Sequence, residues 1–362
     1  MAREINQQAI ADRLNISRAT VSRCFTGHAG ISPVTRAKVF QVAAELGYTH
    51  METRTPSAKK KSRSGAHFTV LICSEPDEYF HGAYQSPGEQ IMAGVSEYAQ
   101  VHQARVDVHI IPPQVRSIGN PAFDGIEGLS KRGKSGVLLI YPFPKPIVSE
   151  LSLKFPLVSL VDQADYSNFD CVDVDHSGGI AMVVDHLVAA GHQRIGFYTR
   201  DYPVEASWSF RRYSAFVEKM ARLELKVSPD DIIGMFPQRK YEVERSIDEA
   251  ARRTSLGVTA WICAADHQAF DLVNGLRARG VRVPEDVSVT GFDGLARSPE
   301  LPNLTTVEIP FRDIGMTGAE RLASRLNRRF HGRRHVSVMG NLREGETVGP
   351  PRSNPQPIAV SG

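Results

Sequence analysis

Short, continuous apolar segments separated by helical stretches recur along most of this 362-residue chain. Strands that are apolar throughout are typical of parallel sheets covered by helices on both faces. The segments form two series, the second expected to start at residue 171, and predict an α/β body of two doubly wound parallel-sheet lobes over residues 67–345. A ligand cleft is expected between the carboxyl ends of the strands. The expected strands are 68–73, 106–111, 136–140, 156–161, 171–174, 194–198, 261–263 and 287–292.

Three short helices are predicted at the N-terminus, within residues 1–48. Apolar residues spaced three and four apart between positions 9 and 14 give the first helix one apolar face, and Asn15 suits a tight turn after it. Ser17 stands where the N-cap of a second helix belongs, and Ser32, followed by proline, begins a third. Two helices joined by a short turn, with the second exposed, form a helix-turn-helix.

Positive charge is concentrated in this N-terminal head. Residues 1–63 hold eleven Lys and Arg against four Asp and Glu, a net charge of +7, whereas the remainder of the chain carries −4. A small basic head on a mildly acidic body indicates that the head binds a polyanion and that the body has another task.

The exposed face of the second helix carries side chains suited to DNA. Arginine can bond a guanine edge bidentately, hydroxyls suit phosphate oxygens, and an alanine methyl can contact a thymine methyl. The alternative is a solvated helix face in a small bundle, which the charge and spacing of the whole head disfavour. The candidate DNA-binding residues are Ser17, Arg18, Ala19, Thr20, Ser22 and Arg23.

Several function classes find no support in the sequence. No apolar run is long enough to span a membrane, the polar N-terminus lacks a signal core, and the four cysteines are scattered, as in a reducing cytoplasm. Asp175, His176 and Ser177 are adjacent and therefore cannot form a catalytic triad, and no GxGxxG follows a strand. We expect a cytoplasmic protein that is not an enzyme and has neither a metal site nor a cofactor.

Motifs along nearly the whole chain match a known family. In the head they are Ile10 to Leu14, Ile16 to Arg23, Ile31 to Arg36 and Glu45 to Tyr48; in the body they are His186 to Ile195, Arg279 to Asp293 and Leu304 to Val307. On these motifs the chain resembles the LacI/GalR (lactose-repressor) family of transcriptional regulators, less closely over residues 74–135. The resemblance implies a periplasmic-binding-protein-like body and base contacts in the major groove from Arg18, Ala19 and Arg23.

The resemblance also implies effector-binding residues. Arg212 matches a family arginine that bonds ligand hydroxyls, although the expected glycine is Ala215 here, and Asp266 and Asp293 match polar ligand positions. Carboxylates and arginine suit bidentate bonds to sugar hydroxyls. Trp208, one helical turn before Arg212, is placed either to stack on a sugar ring or to pack as a half-buried aromatic.

Further expectations concern the connections. In this topology the chain crosses between the lobes near residues 161–165, 292–295 and 326–334, with Asp162, interpreted as a loop cap, at the first crossing. The linker, residues 49–66, departs from the family, because Pro56 breaks the hinge helix and the leucine that wedges into the minor groove is missing. We therefore expect a loose basic tether.

The C-terminal tail, residues 346–362, is rich in proline. It contains no leucine heptad, which argues against a tetramerising coiled coil.

Together these features predict a sequence-specific DNA-binding transcriptional regulator, a repressor by its resemblance, that binds a two-fold operator as a homodimer. A small molecule held between the lobes, in our interpretation a sugar, changes its operator affinity. Two alternatives stay open: an effector that is a purine or a phosphorylated metabolite and, more remotely, a sugar-modifying enzyme.

Overall fold

The computed structural model describes residues 7–25, 31–46, 66–75, 86–130, 135–163, 169–236, 241–296, 299–327 and 332–352. These residues form two compact units, and the chain passes between them at Asp173/Val174, Pro310/Phe311 and Ser337/Val338. The crossings expected near 161–165 and 292–295 are therefore wrong, and the third lies beyond the expected 326–334. In each case one more strand is completed before the chain leaves its unit. The predictions made for the linker at residues 49–65 concern residues outside the described ranges.

The N-terminal head consists of α1 (Gln7–Arg13), α2 (Arg18–Phe25) and α3 (Pro33–Glu45), as predicted. Asn15 adopts a positive φ of 51°, and the amide of Ile16 donates to the carbonyl of Ala11 at 3.0 Å, which closes the turn between α1 and α2. Ile10, Val21 and Val39, one residue from each helix, are fully buried. The three helices therefore share one small core.

Arg36 of α3 points into the head, although its charge counts toward the basic total. Its Nη1 donates to the carbonyl oxygen of Cys24 at 2.6 Å, near the end of α2, where helix carbonyls lack helical partners. Burial lowers the pKa of Arg36, but a guanidinium remains charged in proteins. The side chain therefore stabilises the head internally and is not available to a polyanion.

We expect Arg36→Met to destabilise the head by about 1–3 kcal/mol, because the buried carbonyl of Cys24 loses a charged hydrogen-bond donor. Lys38→Met, at an exposed position of the same helix, is the matched control. Hydrogen exchange of peptides from α1 to α3 measures the difference. Equal protection in the two variants would show that the bond contributes nothing.

The first lobe is built around a six-stranded sheet. Its elements are β1 (His67–Cys73), α4 (Pro87–His102), β2 (Arg105–Ile111), α5 (Glu127–Ser130), β3 (Ser135–Ile140), α6 (Lys145–Lys154), β4 (Leu157–Leu160), β5 (Asp170–Val174), α11 (Phe311–Leu326) and β11 (His335–Val338). The strand order is β11-β5-β4-β3-β1-β2, and β1 to β5 run parallel to one another.

Strand β5 corrects the predicted division into two series. We expected it to open the second lobe, but Asp170 pairs with Val158 of β4 and β5 extends the first sheet. An apolar run does not specify which sheet it joins, whereas consecutive strands usually become neighbours. The second lobe begins instead with the helix that follows β5.

Helices α4 and α11 approach each other backbone to backbone. A Cβ on Gly94 would lie 1.9 Å from the carbonyl oxygen of Arg312, and a Cβ on Gly315 would lie 2.0 Å from that of Ile91. Only glycine permits such a contact. The pair fixes α11, which follows the second crossing, against the first lobe.

The second lobe has a second six-stranded sheet, in the order β12-β10-β9-β8-β6-β7. Its elements are α7 (His176–Ala189), β6 (Ile195–Tyr198), α8 (Ser207–Arg222), β7 (Ile232–Ile233), α9 (Val243–Ser255), β8 (Ala260–Cys263), α10 (Asp266–Ala278), β9 (Ser288–Asp293), β10 (Thr305–Glu308) and β12 (Asn341–Arg343). Strand β12 is antiparallel to β10, and the other pairs are parallel. Two parallel-sheet lobes and a helical head confirm the predicted fold class.

The first residues of the predicted tail belong to this lobe. Thr347 is fully buried, its carbonyl accepts from the amide of Val289 at 2.9 Å, and its hydroxyl accepts from the amide of Thr305 at 3.1 Å. The amide of Gly349 donates to the hydroxyl of Ser288 at 3.1 Å. The boundary at residue 346 is therefore too early, because these backbone groups are paired with the sheet; residues 353–362 lie outside the described residues.

Candidate functional site

The first turn of α2 is held by a cap. The hydroxyl of Ser17 accepts a hydrogen bond from the amide of Thr20 at 3.0 Å, and the two hydroxyl groups lie 2.9 Å apart. This is the N-cap geometry that the sequence predicts. It fixes the direction of α2 and uses part of the hydrogen-bonding capacity of both hydroxyls.

The two faces of α2 differ in exposure. Val21 and Cys24 are buried, whereas Arg18, Ala19 and Arg23 are exposed and Ser22 is half-buried. One side of the helix therefore presents two guanidinium groups and a methyl group while the other side packs in the head. This arrangement suits entry of α2 into a major groove, since the exposed groups are those that read base edges.

A second cluster of polar groups surrounds Arg212 in the second lobe. The Arg212 side chain, on α8, is almost fully buried; its Nε donates to Nδ1 of His176 at 3.2 Å and its Nη1 donates to the carbonyl of Ala264. Nη1 also lies 3.3 Å from Oδ1 of Asp293. These contacts come from the start of α7 and from the carboxyl ends of β8 and β9, which is the edge where ligands bind in open α/β sheets.

Asp293 is the last residue of β9 and has an unusual backbone. Its φ of 144° is positive, which is rare for a residue other than glycine. Its carbonyl accepts from the amide of Ile309 at 3.1 Å, just before the second crossing. Burial raises the pKa of Asp293 in spite of the neighbouring Arg212 cation. Strain of this kind concentrates at functional sites.

Two aromatic rings contact the guanidinium. Its central carbon lies 3.8 Å from the ring centroid of Phe292 and 4.9 Å from that of Trp208, within the range of cation–π attraction. Trp208 is half-buried and also meets Tyr202 edge to face at 5.3 Å. We call His176, Trp208, Arg212, Phe292 and Asp293 the Arg212 cluster. Trp208, Arg212 and Asp293, predicted from the sequence, thus lie together.

Asp266, the fourth predicted effector residue, faces the interior. It is fully buried, Oδ1 accepts from the hydroxyl of Thr306 at 2.5 Å, and Oδ2 accepts from the amide of Leu295 at 2.8 Å. A Cβ on Gly291 would lie 2.1 Å from its Oδ1. In the described residues, both carboxylate oxygens of Asp266 are thus bonded to residues that follow or belong to neighbouring strands, and the side chain holds these strand ends together.

Asp162 lies in the first lobe, after β4. Its carbonyl oxygen accepts from the hydroxyl of Ser159 at 2.7 Å and from the thiol of Cys171 at 3.4 Å. Val161 before it has a φ of 57°. These contacts hold a tight turn, and a loop-cap role for the carboxylate stays a prediction.

Several residues beside the Arg212 cluster escaped sequence analysis. The hydroxyl of Tyr202 lies 2.7 Å from Nε2 of His267 and 2.5 Å from Nε2 of Gln268. Burial and the charges of Arg200 and Arg212 lower the pKa of His267 to about 3, so its imidazole is neutral. Tyr202 and His267 follow the carboxyl ends of β6 and β8, a signal that could have found them. His176 was weighed only as part of a triad.

Within the described residues no group of three or more His, Cys, Asp or Glu side chains could hold a metal ion. In the same parts of the chain, no helix is both long and apolar enough to cross a membrane.

Comparison with known proteins covers both candidate sites. The model of the bacterial regulatory proteins of the lacI family matches residues 8–50, and a periplasmic binding protein-like domain matches residues 184–348. The HTH-type transcriptional repressor MelR of Bacillus subtilis is 26% identical over 334 residues, 88% of this chain and 91% of that protein. The chain belongs to the lacI family. This lacI-family protein is therefore a DNA-binding transcriptional regulator.

Solved structures share the fold of this lacI-family regulator. The complex of the transcriptional regulator CelR with cellobiose has a TM-score of 0.66 and 20% identity, and the alignment covers 95% of this chain and 99% of that one. The lac repressor dimer bound to operator and an anti-inducer has a TM-score of 0.63 and 21% identity over 96% of this chain and all of that one.

Proposed function

We propose that this regulator is a cytoplasmic repressor without enzymatic activity that binds its operator as a homodimer and responds to a neutral sugar. The observation that carries the effector class is the Arg212 cluster. It combines a buried guanidinium, a carboxylate at 3.3 Å and aromatic rings at the carboxyl edge of a parallel sheet. Guanidinium and carboxylate groups bond hydroxyls, and aromatic rings pack on the apolar faces of sugars.

The charge balance of the second lobe supports a neutral effector. Arg212 faces Asp293, and Arg200 pairs with Asp271 at 3.0 Å. A phosphate group would need cationic donors that are not already balanced by carboxylates. The cellobiose complex of CelR, which shares the fold, supports a sugar as well.

Calorimetry with neutral mono- and disaccharides, sugar phosphates and purines tests the effector class. We expect heat from at least one neutral sugar, and that sugar should change operator affinity in a gel-shift titration. Binding that is confined to a phosphorylated sugar or a purine would contradict the proposal. Consumption of the sugar without a change in operator affinity would indicate an enzyme.

On DNA, we propose that each subunit of the homodimer places one α2 in a major-groove half-site, so that the operator is a pseudo-palindrome. The exposed Arg18, Ala19 and Arg23 support this assignment. The lac repressor dimer, whose solved complex contains operator, supports the dimeric arrangement.

Arg23→Ala should weaken specific operator binding by about 1–3 kcal/mol, the value of a bidentate base contact. Lys60→Ala should instead lower affinity about equally for operator and unrelated DNA, as expected for a phosphate contact. Gel-shift titrations on both duplexes at several salt concentrations separate the two effects. Equal, sequence-independent losses would mean that Arg23 contacts only phosphate.

A further inference from the structure

An arginine-rich segment of the first lobe takes no part in the sites described above. Residues 321–334 contain six arginines and no Asp or Glu. The rest of the body, residues 64–320 and 335–362, holds 26 Lys and Arg against 36 Asp and Glu. A concentrated positive segment on a body with a net charge of −10 elsewhere therefore needs an explanation.

Three contacts anchor this segment to the first residue of β5. Nε of Arg321 donates to Asp170 at 3.0 Å, Nη1 of Arg325 donates to it at 2.9 Å, and the backbone amide of Arg334 donates to it at 3.1 Å. Asp170 is fully buried. One carboxylate thus faces two guanidinium groups.

The first-lobe sheet places these arginines at the end where its parallel strands begin, which is also where the linker enters; we call this end the edge. Residues near the start of each strand are in register, since His67 pairs with Ser135, Val137 with Leu157, and Val158 with Asp170. Parallel strands begin at a common edge, so the start of β5 lies on the same side of the sheet as His67. His67 is the first residue of β1 and the point where the chain arrives from the head.

The side chains at this edge are accessible. Arg333 and Arg334 are exposed, and the side chain of Arg325 is 22% exposed. Arg105, which begins the neighbouring strand β2, contacts Asp107 at 3.5 Å and Glu127 at 3.2 Å and is not counted in this group. We call Arg325, Arg333 and Arg334 the arginine edge.

We infer that the arginine edge binds backbone phosphates of the same DNA to which the head is bound. The chain between the head and His67 can extend no more than about 70 Å, at up to ~3.6 Å per residue, so this connection limits how far DNA held by the head can lie from this edge. Arginine is suited to phosphate because its planar fork donates bidentately. Such contacts release counterions and add affinity without sequence preference.

The test compares full-length protein with the double variant Arg333→Ala/Arg334→Ala on an operator duplex. Each lost phosphate contact should reduce the slope of log affinity against log salt by roughly 0.9, so the slope should become shallower by about 2 per subunit. Affinity should fall at low salt and converge with that of the wild type at high salt. The preference for operator over unrelated DNA should be unchanged. The double variant should still fold, because the bond from position 334 to Asp170 comes from the backbone amide and is not removed by the substitution.

Arg222→Ala/Arg282→Ala is the matched control, because it removes the same charge from the second lobe, where these side chains are 74% and 69% exposed. If the two double variants change the slope equally, only net charge matters and the inference is wrong. An unchanged slope in Arg333→Ala/Arg334→Ala overturns it as well. Arg23→Ala separates failure of this inference from failure of operator recognition by the head. Arg23→Ala should lower the preference for operator over unrelated DNA, whereas Arg333→Ala/Arg334→Ala should leave that preference intact.

Discussion

Arg212→Ala is expected to abolish the response to effector while operator binding without effector persists. The side chain lies at the centre of the Arg212 cluster, and loss of a charged donor to ligand hydroxyls costs about 1.5–3 kcal/mol per hydrogen bond. Two such bonds correspond to a loss of effector affinity of about 100-fold or more. Because operator affinity is coupled to effector binding, the effector should no longer alter DNA binding at concentrations that saturate the wild type.

The fold should survive this substitution. Arg212→Ala leaves Asp293 without the cation at 3.3 Å, but burial already raises the pKa of Asp293. The carboxyl group can therefore take up a proton instead of remaining as a buried charge. Melting curves with and without the sugar identified by calorimetry should show a nearly unchanged transition without ligand and no ligand-dependent shift.

Two substitutions act as controls for this prediction. Arg212→Lys keeps the positive charge but lacks the planar fork that bonds His176 and Asp293 together, so it should recover little affinity. His176→Asn retains an acceptor near the position of Nδ1, whereas His176→Leu removes it; the first should bind effector and the second should bind it weakly. Wild-type effector affinity in Arg212→Ala would place the site elsewhere.

The strand pattern predicted the architecture well but not the assignment of strands to lobes. Continuous apolar runs report burial on both faces, and each predicted run corresponds to a strand of the structure. They do not report which sheet a strand joins, which is why β5 and the crossings were misplaced. β12 was missed because it is a short antiparallel edge strand with exposed or half-exposed residues.

The candidate sites divide in a similar way. Exposure along α2 follows from helical spacing and was predictable, whereas the inward direction of Arg36 was not, since a charge count carries no direction. The resemblance placed Arg212 and Asp293 in one site. It also placed Asp266 there, but the hydroxyl of Thr306 and the amide of Leu295 occupy that carboxylate. His176 could be assigned to this site only from the structure, where it contacts Arg212.

Asp170→Ala is expected to destabilise the first lobe by about 3–5 kcal/mol, the cost of removing one partner of a buried ion pair. The carboxylate bonds Arg321 and Arg325 and the amide of Arg334. The Arg321 side chain is only 9% exposed, so its positive charge would stay buried beside an apolar methyl group. Asp170→Asn keeps an acceptor without the charge and should lose less. Asp170→Ala/Arg321→Met, which removes both charges, should recover part of the loss.

The position of the two tryptophans allows this effect to be localised. Trp208 and Trp261 both belong to the second unit, so tryptophan fluorescence reports the unfolding of that unit, whereas far-UV circular dichroism reports both. In a urea titration, the circular-dichroism change that reports the first lobe should occur at a lower urea concentration in Asp170→Ala than in the wild type. The fluorescence transition, which reports the second unit, should occur at nearly the same urea concentration in both. Fluorescence and circular dichroism that shift together would mean that the two lobes unfold as one unit. If neither transition shifts, the free energy needed to desolvate the Asp170 carboxylate equals the free energy gained from its bonds to the two arginines, and the ion pairs add no net stability.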